Sequence, residues 1–337
     1  MRKISFLVLA IFTLLSCSEK AEVNSHTYTG EALGTTYMVR YFSDRDLEFE
    51  KSLDSILEVI NSSMSTYRTG SDISKINRGD TTVIVDEHFK KVFAGSERIF
   101  QLSNGFFDPT VGVLVNAYGF GPGKPLKEID SSKLDSLRDL VGFNKIRITQ
   151  NNKIEKEHPA LYLDFNAIAK GYTIDVIAEY LESENVKNYL IELGGELRAK
   201  GKNLENETDW VVGIDDPDHE EGQRSLKAKV KLQNSAMATS GNYRKYRMDS
   251  VTGQKYVHTI NPINGKAERS NLLSASVIAD NCMMADGYAT AFMALGLERT
   301  KTVLDQLEGV EVYIMYSTPD GTMEEFITPG FSKNLVE

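Results

Sequence analysis

Apolar positions along the chain alternate between a period near 3.6 and a period of two, and the order of the changes predicts the elements. Between residues 46 and 65, Leu47, Phe49, Leu53, Ile56, Leu57 and Ile60 recur at helical spacing and form one face of an amphipathic helix. The stretch "STYRTGSDISKIN" is rich in Ser, Thr, Gly and Asn and reads as a loop, after which Asp86 opens a second helix. "DPTVGVLVNAYGFGPGKP" begins with an Asp-Pro helix entry and ends in a glycine-rich loop. Upstream, "TYTGEALGTTYMVRYF" is a strand-like run. In the second half "LYLDF", "NYLIEL", "WVVGID", "SLKAKVKL", "LLSASVIAD" and "VEVYIMYS" read as strands, and "AIAKGYTIDVIAEYLES" and "ERTKTVLDQLEG" as helices. Strands and helices in this mixed order predict an α+β fold of mixed sheets with packed helices. No repeat or Pro-rich linker divides it.

One predicted helix is not amphipathic. "NCMMADGYATAFMALG", residues 281–296, is apolar almost all round, the pattern of a buried helix, yet it carries the carboxylate of Asp286. A buried ionised carboxylate needs hydrogen bonds, a charged partner or a bound cation. Asp286 and Thr290 are four residues apart and share a face one turn apart. Carboxylate and hydroxyl are hard oxygen ligands suited to Mg2+, which completes its shell with water and substrate phosphates. Backbone hydrogen bonds to Asp286, or its use as a helix cap, account for the acid equally well. Cys282 and two methionines occupy the same segment, so Cys282 reads as a core thiol.

The N-terminus changes the picture of where the protein works. "MRKISFLVLAIFTLLSCSEK" has two basic residues, a short apolar run and small residues before Cys17, the pattern of a bacterial lipoprotein signal. It predicts a signal peptide over 1–16, a lipidated tether over 17–27 with Cys17 as the lipid-bearing residue, and a folded domain over 28–337, anchored to a bacterial membrane and facing the periplasm or cell exterior. The full chain has 38 Lys and Arg against 48 Asp and Glu; losing Arg2 and Lys3 leaves 36 against 48, a net charge of −12. Such an acidic surface with scattered basic residues argues against nucleic acid as a partner. The two cysteines are Cys17 and Cys282, so no disulfide is expected within the folded part.

Other motifs exclude as much as they suggest. HExxH, zinc-spaced Cys and His clusters, GxSxG and strand-GxGxxG-helix units are all missing, and "GFGPGKP" lacks the Ser or Thr of a phosphate loop. In "DFNAIAKGYTIDVIAEYL" a strand ending in Asp164 turns through Asn166 and Ala167 into a helix carrying Lys170, Gly171 and Tyr172; the junction suits an anion, and a packed junction with Asp164 as N-cap explains it too. His258 in "YVHTINPINGK" stands on a strand before an Asn261-Pro262 turn and can move a proton, or is simply a satisfied strand residue. "ATSGNYRKY" adds a Ser-Gly turn with Arg244 that could approach a phosphate, as could any surface turn.

Eight segments in order, "LGTTY", "MSTYRTGSDISKIN", "FDPTVGVLVNAYGFG", "LDFNAIAKGYTIDVIAEYL", "IELGGELRAKG", "ATSGNYRKY", "HTINPINGK" and "ADGYATAFMALG", resemble the ApbE family of FAD:protein FMN transferases over nearly the whole mature chain. The resemblance implies an ApbE-like (T-fold-like) single catalytic unit that takes FAD as substrate and Mg2+ as cofactor. It implies transfer of FMN to a threonine of a partner protein, such as a subunit of a membrane redox complex, with release of AMP. It also implies residue roles: Asp286, Thr290 and the carbonyl of Ala167 on the metal; Leu33, Tyr67, Phe106, Phe107, Asp108, Asp164, Lys170 and Ile260 on FAD; His258 as proton acceptor. Two departures stand out: many members have glycine near Asn166 and Ala167, and some have an acidic ligand where Ala289 stands. An FAD pyrophosphatase giving FMN and AMP, or a non-catalytic FAD-binding lipoprotein, are the rival activities.

Overall fold

The computed structural model describes residues 23–217, 225–241, 246–248, 255–257, 259–267 and 270–336. Its centre is an eight-stranded sheet whose spatial order follows the chain: β1 (Asn24–Ala32), β2 (Thr35–Ser43), β3 (Tyr189–Leu193), β4 (Glu196–Lys200), β5 (Ser235–Gly241), β6 (Leu272–Ala279), β7 (Glu311–Ser317) and β8 (Met323–Ile327). Every neighbouring pair in it is antiparallel. The helices of six residues or more are α1 (Phe49–Met64), α2 (Asp72–Asn77), α3 (Glu87–Leu102), α4 (Gly112–Tyr118), α5 (Ser131–Arg138), α6 (Ala169–Ser183), α7 (Cys282–Leu295) and α8 (Leu297–Leu304). The α+β class expected from the sequence is the one observed.

Period-two alternation divides the central strands between two cores. Ile191, Leu193, Ala236, Ala238, Val277, Val312 and Ile314 face the helices, while Leu190, Leu197, Met237, Ile278, Tyr313 and Met315 face the other way. The second face is covered by Trp210, Ile214, Val230 and Leu232 from a small antiparallel sheet of Trp210–Asp215, Leu226–Leu232 and Leu335–Val336. A sheet covered on both faces explains why these strands read as nearly continuous apolar runs. Helix α7 packs on β5 and β6 and is flanked by α3, α6 and α8, so it is apolar on every side. Among the described residues no helix is long and apolar enough to cross a membrane.

Four sequence expectations are corrected. The stretch "STYRTGSDISKIN", expected as a loop, ends in helix α2, whose N-cap Ser71 accepts the Ser74 N–H at 3.2 Å. The strand-like run from Thr27 is a hairpin: Ala32 pairs with Thr35, and Leu33 (φ 50°) with Gly34 (φ 76°) makes a two-residue turn of left-handed residues. A leucine there gives no Asn-Gly or Asp-Gly signal. Residues 24–27, expected in the tether, belong to β1 and pair with β2. "LYLDF" joins no sheet. Its backbone is held by side chains and a loop carbonyl: Asn77 binds both the N–H and C=O of Leu163 at 2.8 Å, Lys156 Nζ donates to Leu161 O at 2.9 Å, and the Asp164 N–H donates to Pro109 O at 2.7 Å.

Candidate active site

Antiparallel pairing puts the Leu33 turn, the Gly194-Gly195 turn between β3 and β4, and the C-terminal end of β5 at one end of the sheet. On the helix-bearing face, α6 and α7 meet near their N-termini. A Cβ on Gly171 would lie 2.2 Å from the Cys282 carbonyl oxygen and 2.8 Å from the Asp286 Cβ, so only glycine admits this approach. The same closeness lets the Gly171 N–H donate to Asp286 Oδ2 at 3.0 Å.

Asp286 is 3 % exposed. Burial is the largest influence on its carboxyl and lifts its pKa to about 7, against the opposing pull of Lys170. Lys170 is itself ion-paired with Glu196, the first residue of β4. Burial works against the charged ammonium, but Asp286 and Glu196 outweigh it and raise the Lys170 pKa. A second layer joins Arg198 to Asp175 at 2.5 Å and Lys200 to Glu182 at 2.9 Å. Four acids thus stand against three cations, and among the described residues no ion pair reaches Asp286. One turn along α7, the Thr290 hydroxyl lies 3.2 Å from Ser240 Oγ of β5.

The α7 N-terminus is held by more than its own cap. Asn281 accepts the Met284 N–H at 2.9 Å, and Asp175 of α6 accepts those of Cys282 and Met283 at 2.9 and 2.8 Å. Asp164 is buried, and desolvation lifts its carboxyl to about 6 despite the Asn166 N–H that it accepts. It caps a local turn; α6 begins at Ala169, so Asp164 is not the helix N-cap. Tyr67 is 62 % exposed, and after partial burial the Asp164 charge is the next influence raising its hydroxyl, so the two share a neighbourhood.

The ApbE family model matches residues 33–314. The chain belongs to the ApbE family. It is 34% identical over 354 residues to an FAD:protein FMN transferase of Haemophilus influenzae, covering 100% of this chain and 99% of the relative. A Vibrio cholerae relative of the same name is 35% identical over 334 residues, with 97% of each chain covered. The solved flavin transferase ApbE from Vibrio cholerae superposes with a TM-score of 0.82 at 32% identity, covering 93% of this chain and 100% of that one. The apo form of Pseudomonas stutzeri flavinyl transferase ApbE gives 0.79 at 27% identity, over 93% and 97%. Family membership makes the chain a transferase enzyme.

The residues expected to serve this ApbE protein divide into three groups. Asp286, Thr290 and Lys170 are drawn together where α6 meets α7, Ala167 stands two residues before α6 and packs against the core, and Asp164 and Tyr67 share a second neighbourhood. Phe107 and Asp108 are used by the fold: Phe107 is in the core, and Asp108 accepts from Thr110 N, Thr110 Oγ1 and Phe143 N, so the expected Asp-Pro helix entry is a loop clamp. Phe106 lies under the Arg299 guanidinium at 4.9 Å and Ile260 packs with Leu114 and Tyr118. His258, Arg244 and Cys17 lie outside the described residues. Cys282 is fully buried, and burial pushes its thiol up, as expected of a core residue. Sequence reading missed Asp175 and Glu196. Asp175 lies at an interior position of a helix and gives no cap signal; Glu196 follows two glycines that fix a turn, which is its one local mark.

A divalent cation suits this donor set. Asp286 is a buried carboxylate that no ion pair among the described residues reaches, and the Thr290 hydroxyl lies one turn along the same helix. Among the described residues no three His, Cys, Asp or Glu side chains are arranged to hold a metal ion together, so a cation here would draw further ligands from substrate phosphate and water.

Proposed function

We propose that this protein transfers the FMN part of FAD to a threonine hydroxyl of an exported or membrane redox protein, with Mg2+ as cofactor and AMP as leaving product. The single observation that carries the reading is the buried Asp286, which has no ion pair among the described residues and stands one turn from Thr290, in a chain whose relatives named FAD:protein FMN transferase match it almost end to end. Asp286, the Thr290 hydroxyl and the Ala167 carbonyl hold the cation. When bound, it neutralises charge that develops on the diphosphate during phosphoryl transfer. Lys170 offers its ammonium to phosphate oxygens, and the exposed Tyr67 ring offers an apolar face to the flavin. Leu33, Phe106 and Ile260 border the nucleotide, Phe107 and Asp108 support it through the loop they hold, and Asp164 meets it as a hydrogen-bonding acid. His258 takes the proton as the threonine oxygen bonds to the FMN phosphorus and the bond to AMP breaks.

The test is incubation with FAD, Mg2+ and a candidate acceptor. A fluorescent acceptor band with stoichiometric AMP supports transfer; free FMN with AMP means hydrolysis instead, and neither product means a carrier. The residues 1–17 add the proposal of a lipid anchor at Cys17 on the outer side of a bacterial membrane. Radiolabelled palmitate incorporated by the wild type and not by Cys17→Ser supports it, and equal labelling overturns it.

A further inference from the structure

Glu196 is a buried acid that no step above uses. Its position is set by the turn before it. Gly194 (φ 64°) and Gly195 (φ 100°) take left-handed backbone, a Cβ on Gly194 would meet Thr35 Cγ2 at 2.7 Å, and the Gly195 N–H donates to Glu192 Oε1 at 2.7 Å. With Leu197 and Ala199 on the opposite face, Glu196 points toward α6, where Oε1 pairs with Lys170 Nζ and buried Oε2 has no hydrogen-bond partner among the described residues. A carboxylate 5 % exposed with one oxygen unsatisfied is costly for the fold and asks for a role. Lys170 is the residue before Gly171, whose N–H already reaches Asp286, so the Lys170 ammonium has two acids within its range. Its ion pair is with Glu196 and, among the described residues, not with Asp286.

We propose that Glu196 is a positioning residue: by holding Lys170 it keeps the ammonium off Asp286, leaving that carboxylate for a divalent cation and the ammonium for substrate phosphate. This rests on the reading of Asp286 as a metal ligand. Without Glu196, Lys170 turns to the remaining acid, and the ammonium then competes with the cation for the same oxygens. Partners of this kind, one shell out from a metal, typically change metal affinity 10- to 100-fold.

The experiment is calorimetric titration of the full-length protein with FAD at a series of Mg2+ concentrations, with thermal midpoints recorded beside it. Glu196→Gln is expected to raise the Mg2+ concentration for half-maximal FAD uptake roughly 10- to 100-fold, with Glu196→Asp between it and wild type. Adding Lys170→Met to Glu196→Gln is expected to restore the Mg2+ requirement to that of Lys170→Met alone, because the competing ammonium is gone. A purely structural Glu196 gives no such reversal, and its absence overturns the proposal. So does an unchanged Mg2+ requirement in Glu196→Gln while Asp286→Ala abolishes the linkage. Should Asp286→Ala keep the Mg2+-linked uptake, the metal reading itself fails and takes the proposal with it. If Glu196→Gln does not fold, Glu196→Asp with and without Lys170→Met carries the same comparison.

Discussion

At the scale of single residues, two positions carry most of the local consequence. Gly171 is the point where α6 touches α7, and the obstacle to a side chain there is backbone, the Cys282 carbonyl, which cannot rotate away. Gly171→Ala is therefore expected to destabilise the protein by about 3 kcal/mol or more, at the upper end for overpacked sites, with urea denaturation as the measurement. Asp286 gives a pH signature in the metal-free protein. Its folded pKa of about 7 lies above its ordinary value of 3.8, so the folded state holds a proton that the unfolded state has released. Stability contributed by this group is present at low pH and declines as pH rises from about 4 to about 7. Asp286→Asn is expected to remove that decline, so its thermal midpoint should gain on wild type across this window; parallel curves would contradict the assignment of the buried charge.

At the scale of elements, α7 depends on α6. Asn281 is an ordinary N-cap, and Asn281→Ala should lose about 1 kcal/mol. Asp175 does more, because it satisfies two N–H groups and pairs with the largely buried Arg198. Asp175→Ala leaves both N–H groups without their acceptor and takes the nearer partner from Arg198, which keeps Glu182 at 3.7 Å, and should cost about 2 kcal/mol or more, the larger loss of the two in the same denaturation series. Helices were the elements most legible in the chain, since apolar spacing and caps such as Asp86 are local signals, and Asp86 does accept the Phe89 N–H at 2.7 Å. Strands were legible where the sheet is buried on both faces. "LYLDF" misled because an apolar alternating run says nothing about whether its backbone partners are strands or, as with Asn77, side chains from far along the chain. The hairpin at Leu33 was hidden because its turn uses a leucine where glycine or asparagine is usual.

At the scale of the whole molecule, an antiparallel sheet with chain-ordered strands gathers its turns at one end and hangs α6 and α7 over that end. The candidate site was legible in part. Asp286 and Thr290 were marked by a lone acid in an apolar helix, a contradiction of local pattern that only a site or a network resolves. Their surroundings were not, because Lys170 and Asp175 come from α6 and Glu196 from β4, and no spacing links either element to α7. Phe107 and Asp108 show the reverse: residues marked by motif whose side chains serve the loop itself. Asp286, on the reading proposed above, commits a divalent cation to flavin dinucleotide. Calorimetric titration of FAD into wild-type and Asp286→Ala protein, with and without Mg2+, tests it most directly. Uptake by the wild type should tighten with Mg2+ by tenfold or more and this gain should vanish in the variant; equal gains in both proteins would contradict the claim.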